Sequence, residues 1–551
     1  MSRSGAELAD TTPDEGPAAL VEAAALWLAD GRIDEAADAA RQAALLGASD
    51  ERTWSVLAAA LEAQDDVAGA YSACEEWLKV AADPQAAAPR MARLALRLGH
   101  NETAEYLLTP LMEAGGAEPA AVADLALAQA GLGAFDRAQE TLKAGLTAAP
   151  GESLLWIVLG EVLALQGRQA DCVVFFEEAL RLDPASGRAK DGLADALLSI
   201  GERDRALVLG SEALADAAVD EAPVRAIAQA RRLLASGQLA EGWALHARAF
   251  ETGPLVGKAA APRWSPPEPL PGPILLLGEE SVADEILLAH AVSDLIAAGH
   301  SAVLAVRPVW VELAGRSFPG ASAVRLATRR LGRGVEHAAE LVTPYMQEGR
   351  MIGAWTPLRS LPALYRATPA AFATRRPYLT ADPERVAAWR SWLDGLGPGL
   401  KAGLIWRSAL PDSFGAPPPP PLGGLSLALT REGVEVVSLQ DRGIMGEADW
   451  LRDAFGLRVH EAPGLDLKTL DDLAALACAL DVVIGPPDGV TYLAAACGVR
   501  TWFLAPERHW AMLGQDEFPW FPEARAFRIT PKGGWAAAMA ELSDALDDLA
   551  G

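Results

Sequence analysis

PAAVADLALAQAGLGAFDRAQETLKAGLTAAP (119–150) decides the fold of the first half of this chain. It opens with an Ala- and Leu-rich helix stopped by glycine. An antiparallel partner follows, closed by Pro150. Ala138 is small enough to let the two helices approach closely. The turn residue Gly133 lies on a lattice with a spacing of 34 residues: Gly31, Asp65, Gly99, Gly133, Gly167 and Gly201, with Gly237 two residues late. Five residues after each stands a small side chain: Ala36, Ala70, Ala104, Ala138, Cys172, Ala206 and Gly242. Pro84, Pro119, Pro150 and Pro184 recur near unit boundaries, where proline starts a helix but does not continue one. A fixed period of this length marks an array of helix hairpins.

Period, small positions and boundary prolines resemble the tetratricopeptide repeat (TPR) family, with about seven units over residues 17–252. Stacked units bury a continuous core and leave a concave groove suited to an extended peptide. A rigid spacer or a dimerisation arm is the other use of such an array. Residues 1–16 mix Thr, Pro, Asp, Glu and Gly with little apolar content and read as disordered.

At 551 residues the chain is too long for one core, and three or so compact units are expected. Its formal charge of −27 argues against nucleic acid and anionic membrane surfaces, which need a basic face. The plain meaning of that acidity is solubility. Cys74, Cys172, Cys478 and Cys497 have no CxxC spacing and read as buried hydrophobes in a reducing compartment. No apolar run has membrane-spanning length and the start is not a signal peptide, so a cytoplasmic protein without membrane insertion is expected.

Residues 253–273 are proline-rich and non-periodic, and read as a linker. Strand and helix patterns then alternate: ILLLG (274–278), a helix in SVADEILLAHAVSDLIAAGH (281–300), SAVLAVRP (301–308), and a helix in VWVELAGRSFPG (309–320). This order implies a parallel sheet covered on both faces. A second such unit has strands AGLIWR (402–407), VEVVSLQ (434–440), LRVHEA (457–462), DVVIGPP (481–487) and RTWFLAP (500–506), with a last helix at 534–550. The expected architecture is an all-α TPR superhelix followed by two doubly wound α/β lobes, 274–385 and 386–551.

Ligands of such sheets sit at the carboxyl ends of strands. The first exit, GEESVADE (278–285), is neither GxGxxG nor a P-loop. It offers Glu279, Glu280, Asp284 and Glu285. A carboxylate there could deprotonate an acceptor hydroxyl, or simply complement the helix dipole. The second exit carries Trp406 and Arg407, candidates for stacking and for clamping an anion, before a stiff run of prolines at 417–421. The third offers Gln440 and Arg442. The fourth, VVIGPPDGVTYLAAACG (482–498), starts a helix whose free N–H groups would face a cleft as a phosphate site. Pro487, Asp488, Gly489, Thr491 and Tyr492 form that turn, though Tyr492 could equally be core. His509 and Trp510 lie in the aromatic-rich PERHWAMLGQDEFPWFP (506–522), lining a cleft or holding an irregular stretch.

With these exits in view, residues 270–535 resemble GT-B glycosyltransferases of the bacterial heptosyltransferase-like kind, more closely the bacterial TPR-glycosyltransferases. The likeness is carried by LLLGEESVADEILLA, SLPALYRATPAAFATRRPYLTADPERVAAWRSWL, GLIWRS, VVSLQ, DVVIGPPDGVTYLAAACGVRTWFL and HWAMLGQDEFPWFPEARAFR. Within that group it is nearest to flagellin-modifying enzymes of stalked alphaproteobacteria. The resemblance implies metal-independent transfer of a sugar, from a nucleotide donor on the C-terminal lobe to an acceptor on the N-terminal side. It further implies a CMP-linked nonulosonic acid such as pseudaminic acid as donor, no cofactor, and Ser or Thr of flagellin as acceptor, captured by the repeats. Asp284 and Glu280 are then the acceptor-side carboxylates. Trp406, Arg407, Gln440, Pro487, Asp488, Gly489, Thr491, Tyr492 and His509 serve the donor.

Two departures stand out. Where the family's first loop reads roughly G-x-G-D, this chain has Ser281-Val282-Ala283-Asp284, so both glycines are replaced. Tyr492 stands where a histidine is usual. A catalytically inactive TPR/GT-B adaptor, and a transferase acting on lipopolysaccharide sugars, are the competing readings.

Overall fold

The computed structural model describes residues 16–550, apart from 116–117, 219–220, 253–261, 265, 267–269, 271, 280, 327, 332–333, 338–351, 373–375, 407–419, 421, 441–446, 466–468, 522 and 531–533. Residues 1–15, most of the expected linker, Glu280, Arg407, Arg442 and most of the proline run therefore lie outside the described residues.

The chain divides into two compact units, 1–162 with 329–335, and 163–328 with 336–551. The first is built of helix hairpins. In one of them, helix Pro119–Gly131 turns into helix Phe135–Ala148. The turn explains the lattice. Gly133 sits at φ +76°, and Ala134 N–H reaches back to the Gln129 carbonyl at 2.8 Å. That six-to-one bond closes the first helix only if the residue before it is left-handed. The same bond recurs at Arg32, Asp66, His100, Arg168, Glu202 and Gln238, each one residue after a lattice position. Asp65 takes the conformation at φ +62° without being glycine, as Asp and Asn do at modest cost.

The small positions are equally physical. Ala36, Ala70, Ala104, Ala138, Cys172 and Ala206 are all fully buried. At Gly242 an added Cβ would lie 2.8 Å from the Leu234 side chain. These are the points where paired helices approach.

The second unit continues the hairpins through helices Gln169–Leu182, Gly187–Ser199, Arg203–Ala215, Ala222–Ala235 and Leu239–Thr252. Two all-parallel sheets follow. The first has β1 (Ile274–Leu277), β2 (Ala302–Val306), β3 (Ala321–Arg325) and β6 (Ala354–Pro357), in the order β3-β2-β1-β6. β4 (Thr328–Leu331) and β5 (Gly334–His337) pair with each other in a separate two-stranded sheet. The second has β7 (Leu400–Leu404), β8 (Val434–Ser438), β9 (Val459–Glu461), β10 (Val482–Gly485), β11 (Thr501–Pro506) and β12 (Ala524–Ile529), in the order β9-β8-β7-β10-β11-β12. That is the 3-2-1-4-5-6 order of doubly wound nucleotide-binding sheets.

Side chains alternate across the second sheet. Ile405, Val437, Val483 and Phe503 enter the large core that also holds β1 and Trp243, while Leu404, Val436, Ile484 and Leu504 enter a core under the last helix, Gly534–Ala550. Burial on both faces is what their unbroken apolar runs require.

Within the two parallel sheets, β3, β6 and β12 have no counterpart among the expected strands, and neither have β4 and β5. ASAVR and ARAFRI carry charge, and AWTP is four residues ending in proline. None shows the apolar run that marks the others. The helix expected over 281–300 is two pieces, Val282–Leu288 and Val292–Ala297, joined by a tighter turn at Ala289–Ala291. There the His290 ring meets the Arg366 guanidinium, with Nε of the arginine 3.0 Å from Nδ1.

Ala138→Leu forces a branched side chain between fully packed helices and is expected to cost about 1–3 kcal/mol. Ala138→Gly should cost only about 1 kcal/mol, from helix propensity. Denaturant unfolding of the two variants checks this, and a leucine tolerated as well as glycine would mean the helices are not in close approach.

Candidate functional site at the two switch points

In each sheet the strand order reverses at one place, between β1 and β6 and between β7 and β10. Loops leaving neighbouring strands there run in opposite directions and open a crevice. Helix Val282–Leu288 leaves β1 and helix Gly489–Ala496 leaves β10, and the two pack against each other. The two switch points therefore share one wall.

On the first side, burial must be matched by donors. Glu279 is 2% exposed. Its oxygens accept from the Arg359 backbone N–H at 2.7 Å and the Arg359 Nε at 2.5 Å. Burial raises its pKa, and the Arg359 cation opposes that. Glu285 is fully buried and accepts from Glu279 N–H at 3.1 Å, Arg307 N–H at 3.3 Å and Trp310 Nε1 at 2.5 Å. Burial pushes its pKa up to about 8 against those donors. Neither carboxyl faces open solvent, so both hold the loop rather than serve as mobile bases.

Asp284 is different. It stands in the first turn of its helix, behind Ser281, whose hydroxyl caps the Ala283 N–H. Its two oxygens lie 3.2 and 3.0 Å from one Arg231 guanidinium nitrogen. Arg231 belongs to helix Ala222–Ala235 of the last hairpin. Its guanidinium also lies over the Trp510 ring, 5.0 Å from the centroid. Trp243, from the other helix of that hairpin, is fully buried and meets Trp510 and Trp520 edge-on. Its Nε1 donates to the Arg366 carbonyl at 3.1 Å.

On the second side, Trp406 is buried at the end of β7, and its backbone N–H donates to Gln440 Oε1 at 2.9 Å. Pro487, Asp488 and Gly489 are all buried. The helix after them caps itself. Asp488 Oδ1 accepts from Val490 N–H at 3.0 Å and Thr491 N–H at 3.2 Å. Thr491 Oγ1 in turn accepts the Asp488 N–H at 2.9 Å and donates to the Pro486 carbonyl at 2.6 Å. The expectation of free N–H groups facing a cleft is corrected here for Val490 and Thr491. An aspartate at the N-cap with threonine three residues on is a reciprocal capping box, and it consumes those donors.

Tyr492 is 3% exposed, with its ring beside Phe503 and Phe521, and burial holds its hydroxyl well above the ordinary phenol range. His509 is buried, its Nδ1 accepting from Ala511 N–H at 3.3 Å. It borders a cavity of about 70 Å³ that Arg508, Met512 and Gln515 also line. That space suits a few waters, not a nucleotide.

Asp284 and Tyr492 thus come together across the shared wall, and after burial the Asp284 charge acts most strongly on the tyrosine hydroxyl. Trp406 and Gln440 pair with each other. Sequence order gives no sign of Arg231, which precedes Asp284 by 53 positions and sits in the repeat array. Its only visible signal is arginine on an otherwise Ala- and Leu-rich helix, and such residues are usually solvated.

The buried imidazoles give the region a pH dependence. Burial, followed by nearby arginine charge, lowers the pKa of His290 and of His509 to about 3. Free histidine titrates near 6.5, so from there down to about 3 the unfolded chain binds more protons, and stability falls as pH falls. Thermal stability should therefore fall between pH 7 and pH 5, with Glu285, whose pKa stands at about 8, offsetting one of the two histidines by holding a proton in the native state. His509→Asn, which keeps an acceptor for Ala511, should flatten that slope, and an unchanged slope would refute the buried-neutral assignment.

No family model matches the chain. Among solved structures, a thermophilic TPR protein of Thermus thermophilus is 26% identical, covering 33% of this chain and 99% of its own, with a TM-score of 0.31. A tetratricopeptide repeat protein from Parabacteroides merdae is 15% identical over 37% of this chain and 79% of its own, with a TM-score of 0.34. Among curated proteins, Protein FlbA of Caulobacter vibrioides is 31% identical over 532 residues, 94% of this chain and 88% of its own length. That likeness runs through the helix hairpins and both sheets, and the chain belongs to the family of Protein FlbA.

Proposed function

We propose that this chain is a protein O-glycosyltransferase whose helix hairpins hold an acceptor protein while the two sheets carry out sugar transfer. The observation that carries the reading is the pair of switch points joined by helices Val282–Leu288 and Gly489–Ala496. A two-lobed transferase of the GT-B kind needs that arrangement: an acceptor-side carboxylate from one sheet facing a donor-side turn from the other. Asp284 is the acceptor-side carboxylate. Gln440, Trp406 and the 487–492 turn shape the donor side.

The chemistry is a displacement. The acceptor Ser or Thr oxygen bonds to the anomeric carbon, and the bond from that carbon to the phosphate oxygen breaks. The nucleotide leaves with the electron pair, and the hydroxyl proton passes to Asp284. The resemblance of the 270–535 segment to flagellin-modifying enzymes supports flagellin as acceptor and a CMP-linked nonulosonic acid as donor.

One observation favours a second reading, an adaptor without catalysis. The helix that would grip the donor phosphate bonds two of its first amides to its own cap. Under that reading the protein binds its client but no nucleotide sugar.

The test incubates the purified chain with flagellin and CMP-nonulosonic acid and reads intact mass. A gain of one sugar residue per modified site is expected. Asp284→Asn should abolish the gain while flagellin binding stays. No gain with CMP-, UDP- or GDP-linked sugars, together with no thermal shift from any of them, would overturn the transferase in favour of the adaptor.

A further inference from the structure

Arg231 is the residue this architecture leaves unexplained. A plain repeat helix presents arginine to solvent or to a neighbouring repeat, as Arg232 does with Asp191 and Asp195. Arg231 points the other way. Its side chain is 12% exposed, and its guanidinium spans from Asp284 to the face of Trp510. The hairpin that bears it is fixed there. Leu234, Leu239 and Trp243 belong to the same core as β1 and helix Gly489–Ala496. Buried His246 stacks on Trp510 from the same hairpin, with ring planes 22° apart.

A nonulosonic acid has its carboxylate on the anomeric carbon itself. Any base that deprotonates the attacking hydroxyl must work beside that carbon, so a group holding the sugar carboxylate must be an immediate neighbour of the base. Asp284 has one cation within hydrogen-bond reach among the described residues, and it is Arg231. A guanidinium suits this role, since its planar fork matches a carboxylate.

We propose that Arg231, supplied by the last repeat hairpin, is the specificity residue for an acidic sugar. In the free protein it pairs with Asp284. When the donor binds, the sugar carboxylate takes the place of Asp284 on the guanidinium, which frees the aspartate to receive the acceptor proton. No covalent step beyond the displacement already written is involved. The inference rests on the transferase reading, and it makes the seventh hairpin part of the active site rather than part of the acceptor-binding array.

The test uses the full-length chain and its Arg231→Gln and Arg231→Lys variants. Calorimetry measures affinity for CMP-nonulosonic acid, for CMP alone and for a UDP-linked neutral sugar, and intact mass follows transfer to flagellin. Arg231→Gln is expected to weaken CMP-nonulosonic acid tenfold or more, to leave CMP unchanged, and to raise KM more than it lowers kcat. Arg231→Lys should restore part of the loss, which also shows that the variants fold. Three results would overturn the proposal: equal affinity of parent and Arg231→Gln for the acidic donor, equal weakening of CMP alone, or parent transfer of neutral and acidic sugars alike. A parent chain that binds no nucleotide sugar would sink the transferase reading itself. A parent that transfers, beside an indistinguishable Arg231→Gln, would sink this assignment only.

Discussion

Buried carboxyl groups at the strand exits have to find donors, and the second unit is organised around that requirement. Glu279, Glu285 and Asp488 are each at most 2% exposed. An unpaired carboxylate in such a place would cost several kcal/mol. Each is therefore met by fixed groups: Glu279 by Arg359, Glu285 by three N–H donors, and Asp488 by the amides of its own helix. Those bonds tie β1 to β6 and fix the entry of both helices that form the shared wall. Among the described residues, Asp284, with its side chain 22% exposed, is the carboxylate of the wall that retains contact with solvent, and its partner arrives from outside the sheets.

The helix hairpins are legible in the sequence because their cause is local. A left-handed residue and a six-to-one bond close the first helix of each hairpin, and glycine marks the spot at all lattice positions but Asp65. The strands of the second sheet are legible for a related reason. Buried on both faces, they keep unbroken apolar runs such as VVIG at β10. β3, β6 and β12 are hidden because a strand edge or a short length tolerates charge and proline, so composition no longer reports the pairing. Sheet order is beyond sequence altogether. The order around β7 and β10 depends on which helix crosses which face, and no single segment records it.

At the site, sequence locates the strand exits but misjudges what their groups do. Residue type suggests that Glu279, Glu285 and Asp284 are equivalent acids at a helix start. Burial separates them into two held groups and one paired with a distant arginine. Asp488 and Thr491 show the same limit. Their spacing fits both a phosphate-binding turn and a reciprocal cap, and only the hydrogen bonds tell the two apart. Arg231 is invisible because the repeat lattice explains a helix by its small and apolar positions and is silent about the remaining ones.

The self-capped helix has a consequence for how a leaving phosphate would be neutralised. A helix N-terminus attracts an anion through unsatisfied N–H groups as much as through its dipole. With the Val490 and Thr491 amides bonded to Asp488, what remains of the dipole is partly cancelled by the carboxylate of the cap. Charge neutralisation then falls to side chains. Arginines can supply it, and because a guanidinium fork matches carboxylate and phosphate alike, selectivity comes from where the arginine stands. A transferase built this way would trade general affinity for phosphate against discrimination between sugars, and the discriminating residue would have to stand next to the base. In this chain the neighbour of Asp284 comes from the last repeat hairpin, as Arg231.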